Sequence, residues 1–183
     1  MNFWLPLIGY EAVWFVAVIG AGRDLWWPGV AATVLFAIWR LVVSPHRSVE
    51  VRIALVALVL GIVFDALLVA MNLTQYAAAW PLPVLPAWLT ALWVAFALTI
   101  VPLFAYLHAR PWLAALFGFI GGPLAYLGAA HGWHAVTLST PTWRALLALA
   151  IGWGIALPLL CLSARHWLRM QTQPEIIAAR STP

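Results

Sequence analysis

The chain has no lysine, a single cysteine and very little charge. Its 183 residues are 66% hydrophobic and 8% charged, with a mean hydropathy of +1.00. Soluble domains carry about 25% charged and 45–50% apolar residues, so this composition predicts a polytopic membrane protein. One cysteine excludes an intrachain disulfide, and Cys161, inside an apolar run, reads as a small packing residue. The basic residues are nine arginines, scattered singly at the ends of apolar runs. That pattern suits lipid headgroups and membrane orientation and excludes nucleic acid as a partner. No basic segment precedes the first apolar run and no A-x-A pattern follows it, so it reads as a retained span.

Crossing about 30 Å of hydrocarbon takes about 20 apolar residues. Six stretches qualify: Asn2–Ala21, Trp26–Val43, Val49–Asn72, Pro86–Leu107, Trp112–Ala130 and Trp143–Ala164. Turn chemistry separates them, at Gly22-Arg23-Asp24, Ser44-Pro45-His46-Arg47, Pro81 to Pro86, Ala109-Arg110-Pro111 and Gly132 to Pro141. The runs do not alternate in polarity, which excludes a barrel. The expected fold is therefore all-α, a bundle of six transmembrane helices over residues 1–168, with a polar, disordered tail at 169–183. An even number of spans puts both termini on one side. That side holds Arg40, Arg47, Arg52, Arg110, Arg165, Arg169 and Arg180, against Arg23 and Arg144 on the other. The bias predicts cytoplasmic termini.

Two acids interrupt these runs. Glu11 falls near the middle of the first and Asp65 in the outer half of the third. An ionisable group at bilayer depth costs about 2.5–3.5 kcal/mol on insertion scales. Such groups usually face an interior or a wet cavity, which makes Asp65 and Glu11 the candidate catalytic residues. Without a cation, a buried carboxyl is expected to keep its proton and can equally serve as a hydrogen-bonded lock between helices. Gly61, Asp65, Leu68 and Asn72 fall at i, i+4, i+7 and i+11, on one helical face. Asn72, Tyr76, Arg23, Tyr126, His131 and His134 gather toward the same outer half and are the candidate substrate-binding residues. His131-x-x-His134 is half of a metal site at most, with no HExxH and no cysteine pair, so no metal and no cofactor are expected. Gly118-xxx-Gly122 reads as close helix packing, followed by a kink at Pro123.

The opening Asn2-Phe3, Trp14-Phe15 and Gly20-Ala21, then Trp27-Pro28-Gly29, Gly61 with Asp65 and Leu68, Pro86-Ala87-Trp88-Leu89, Leu92-Trp93, Phe96-Ala97 and Gly121-Gly122-Pro123-Leu124-Ala125-Tyr126 carry a resemblance over residues 2–165. The chain resembles a domain-of-unknown-function family of small bacterial inner-membrane proteins, often encoded beside cyclopropane-fatty-acid-synthase-like methyltransferases. The resemblance implies a six-helix membrane fold and a lipid-linked setting, in envelope stress or fatty-acyl modification. It implies no reaction. Glutamine commonly stands in that family where this chain has Glu11, which weakens Glu11 against Asp65 as a catalytic group. The expected partners are membrane lipids or a lipid-like small molecule, bound or processed in a polar pocket facing the periplasm. A small proton-coupled transporter and a non-catalytic membrane subunit remain as alternatives.

Overall fold

The computed structural model describes residues 3–82 and 85–180. The chain is all-α, with seven helices among the described residues: α1 (Trp4–Ala21), α2 (Trp27–Val43), α3 (Arg47–Ala70), α4 (Ala87–Ala97), α5 (Ile100–Leu103), α6 (Pro111–Trp133) and α7 (Thr142–Arg180). Four stretches are long and apolar enough to cross a membrane: Trp4–Ala21, Arg47–Ala70, Pro111–Trp133 and Thr142–Gln171. α2 and α4 are apolar but shorter, at 17 and 11 residues.

The surface shows what solvent these helices meet. Leu55, Val59, Val63 and Leu67 recur every fourth residue along α3, and all are exposed; Leu35, Ile38 and Val42, three and four residues apart, form an exposed row on α2. Continuous apolar stripes of this extent are foreign to a water-facing surface. They are the faces of a membrane protein.

The fourth run departs from expectation. Pro86–Leu107 is not one helix. α4 stops after Ala97, α5 occupies only Ile100–Leu103, and a 3-10 turn at Ala105–Leu107 follows. Pro102 is the local cause. It has no N–H to donate to the carbonyl of Leu98, and its ring crowds that carbonyl. The Thr99 hydroxyl donates to the Phe96 carbonyl at 2.6 Å across the break. Pro123 behaves differently, since α6 runs through it from Pro111 to Trp133. The stretch 169–180, set apart as a tail by its polarity, continues α7 as helix to Arg180; residues 181–183 lie outside the described residues.

α4 is the hub. It packs on α1, α2 and α3, while α3 also packs on α7 and α7 pairs closely with α6. The fully buried Trp88 and the nearly buried Trp93 sit on this central helix. α1 and α6 meet only sparsely, and a gap opens between them.

Loops close one end. β1 (Thr74–Tyr76) pairs antiparallel with β2 (Val136–Leu138), with Tyr76 opposite Val136. The turn after α1 is tied to this cap by the Ala78 N–H, which donates to Asp24 Oδ1 at 3.1 Å. The Trp88 indole donates to the Ala77 carbonyl at 2.9 Å, and Trp26 stacks on Trp80 with ring centroids 4.0 Å apart.

Candidate functional site

Asp65 is 4% exposed and has three donors. The Tyr126 hydroxyl donates to Oδ1 at 2.7 Å, the Tyr76 hydroxyl to the same oxygen at 2.9 Å, and the Trp93 indole to Oδ2 at 2.8 Å. These groups come from α6, the capping loop and α4, so one carboxyl joins three elements to α3. Local sequence makes room for it. Gly61 lies one turn before Asp65, and a Cβ there would collide with the Trp93 ring. The missing side chain lets the indole lie flat on α3 with its N–H at the carboxyl. Trp93 in turn stacks on Trp153 of α7, with centroids 4.5 Å apart and planes 6° from parallel. Trp153 lies against Gly118 and Gly122 of α6, where any Cβ would collide with it. The expected small-residue contact of Gly118-xxx-Gly122 is thus a glycine face under a tryptophan.

Tyr76 lies outside the helices, and burial together with the Asp65 charge pushes its hydroxyl well above the usual tyrosine range. It stays a donor at any ordinary pH. The node is therefore a closed acceptor-and-donors arrangement with no cation in it among the described residues.

Beside this node runs a cleft of about 270 Å³ in the gap between α1 and α6. Its floor is α4 and α7, through Leu89, Trp93, Phe96, Trp153 and Leu157. Its walls are Leu7, Tyr10, Glu11, Trp14 and Val18 on one side and Phe117, Gly121, Ala125 and Tyr126 on the other. Along α1 the lining from Leu7 to Val18 spans about 16 Å at 1.5 Å per residue. Trp93 and Tyr126 belong to both features: their polar atoms serve Asp65 and their ring surfaces line the cleft. The pocket is thus apolar and aromatic, not the polar cavity expected from the sequence.

The expected site residues separate. Asp65, Tyr76 and Tyr126 come together. Glu11 does not join them. It is exposed on the cleft wall, and no hydrogen bond or ion pair reaches it among the described residues. Asn72 leaves the face it was expected to share with Asp65. It has φ 56, in the left-handed region, and is exposed. Its N–H bonds the Val69 carbonyl and the Leu73 N–H bonds the Leu68 carbonyl, both at 2.9 Å, so Asn72 ends α3 as a cap. Arg23 is exposed in the turn after α1. His131 and His134 are exposed at the end of α6, each with Nδ1 near a carbonyl of its own helix, of Leu127 and Ala130. No group of three or more metal-ligating side chains occurs among the described residues.

A second polar feature, absent from the sequence reading, lies at the opposite end of α3. Arg40 and Glu50 form an ion pair with neither side chain exposed, and the Ser44 hydroxyl donates to the same Glu50 oxygen at 2.9 Å. Arg40 is therefore a buried structural cation and not a headgroup-facing arginine. Opposite charges ten residues apart across a short Ser-Pro turn were the available signal.

No curated protein and no solved structure matches the chain. A family model described as "Protein of unknown function (DUF2878)" matches residues 3–159, nearly the whole apolar region, and the chain belongs to that family.

Proposed function

We propose that this protein crosses a bacterial inner membrane six times, with cytoplasmic termini, and binds a lipid or lipid-like molecule in the cleft between α1 and α6. α4, α5 and the turn after them together supply the fourth crossing. With Arg40 buried in its ion pair, six arginines remain on the termini side against two on the other, which keeps the positive-inside bias. An active C-terminal alkaline-phosphatase fusion would reverse this orientation.

The cleft carries the functional reading. It is apolar and elongated along the helix axes, and from between two apolar helices a hydrophobic molecule already in the bilayer can enter without crossing water. Ligand sites are concave and mostly apolar, with few polar groups, and this one fits. Asp65 has a different task here. Its three partners are fixed and it does not line the cleft, so it holds α3, α4 and α6 at the spacing that leaves the gap open.

Gly121 supplies the test. A Cβ there meets nothing within 4 Å, and the residue faces the cleft. Gly121→Trp should fill the space without disturbing the helix contacts that Gly118 and Gly122 make. Solvent extraction of the purified protein, read by mass spectrometry, should return a lipid-like molecule from the native chain. The amount should fall at least about tenfold in Gly121→Trp, a change of about 1.4 kcal/mol, at an unchanged melting temperature. Equal recovery from both chains would overturn the reading.

A further inference from the structure

We infer that the occupant of the cleft is a hydrophobic organic cation: an ammonium or related cationic centre on an apolar body. This rests on the cleft being a ligand site, and it names the ligand class of that site.

Glu11 carries the argument. It is the eighth residue of the 18-residue α1, far from both helix ends. Among the described residues it is the one charged side chain on the cleft wall. A carboxyl at that depth is costly unless something compensates it, and the described residues place no cation and no hydrogen-bond donor against it. Its exposure leaves it reachable from the cleft. Arg23, in the turn after α1, makes no ion pair with it among the described residues.

The surroundings suit a cation specifically. Trp14 follows Glu11 by three residues, on the same side of α1. Tyr10, Phe96 and Phe117 line the same cleft. Aromatic faces carry partial negative charge, attract organic cations and reject anions. A cleft lined by one carboxyl and several aromatic rings thus offers charge complementarity together with apolar surface. A fatty acid or a lipid phosphate would set an anionic group against the Glu11 carboxyl, an acceptor facing an acceptor, with no charge complementarity to offset its desolvation. A neutral lipid would leave the Glu11 carboxyl without a charged partner.

The test uses two ions of nearly equal shape, radiolabelled tetraphenylphosphonium and tetraphenylborate, with the full chain purified in a nonionic detergent. The native chain should bind the cation in preference to the anion. Glu11→Gln should lower cation affinity by at least about tenfold and remove the preference, while Glu11→Asp should retain part of it. Because Glu11 is exposed, melting temperatures should not change. Gly121→Trp should abolish binding of both ions. Equal binding of the cation by native chain and Glu11→Gln, with loss in Gly121→Trp, would overturn the cation assignment and leave the hydrophobic-ligand reading standing. Binding of both ions unaffected by Gly121→Trp would overturn both.

Discussion

Asp65→Leu should destabilise the protein by about 3–6 kcal/mol. The substitution removes the acceptor for the Tyr76, Trp93 and Tyr126 donors at once. A buried donor left without a partner costs about 1–3 kcal/mol. Two of the three are hydroxyls, which can rotate toward each other and recover part of the loss; the indole N–H cannot. With total stabilities of about 5–15 kcal/mol, most of the folded population is at risk. Asp65→Asn is milder but not silent. Asparagine has one acceptor oxygen and one donor amide, whereas every group around Asp65 points a donor at it. If the amide nitrogen faces Trp93, two N–H groups oppose each other. If it faces the tyrosines, their hydroxyl protons lose their acceptor. Either orientation costs about 1–3 kcal/mol. Melting temperatures of the purified variants should therefore rank native above Asn above Leu. Native-like melting of Asp65→Asn with a lost biological activity would instead make Asp65 a reactive group.

Arg40→Met should cost about 3–5 kcal/mol, because it strands the Glu50 charge in a fully buried position. The double change Arg40→Met with Glu50→Leu should recover most of this. Replacing both members of a buried ion pair by apolar groups is often neutral or stabilising. Thermal unfolding of the two single variants and the double variant measures the effect. Additive losses would mean that the two side chains stabilise the bundle independently.

The helices were legible in the sequence because their ends carry turn chemistry. The Ser44-Pro45 and Arg110-Pro111 breaks fall where α2 ends and α6 begins. The interruption at Pro102 was hidden, since both pieces and the gap between them are apolar and hydropathy does not change across it. Neighbour relations were not legible either. Ile53 and Ala57 are buried while Leu55 and Val59 are exposed, yet lipid and helix interior draw on the same apolar residue types. Asp65 stood out by the cost of its charge, and its partner Tyr126 was reachable from its position in the outer half. Trp93 was missed because an indole in a membrane span looks like any other aromatic. Tyr76 reaches Asp65 through the loop that β1–β2 pairing folds back, a relation that no helical spacing encodes. Glu11 and Asp65 looked alike in sequence because exposure to a cleft and enclosure by donors depend on elements far along the chain.

The claim that matters most is that a hydrophobic molecule resides between α1 and α6. The most direct measurement is photolabelling in native membranes with a diazirine-bearing long-chain amine, followed by peptide mapping. Labels should concentrate on α1 between Leu7 and Val18 and on α6 between Phe117 and Tyr126, and should disappear from both in Gly121→Trp. Labels spread evenly over the outward faces of α2 and α3, at Leu35, Ile38, Leu55 and Val59, with no change in the variant, would contradict the account.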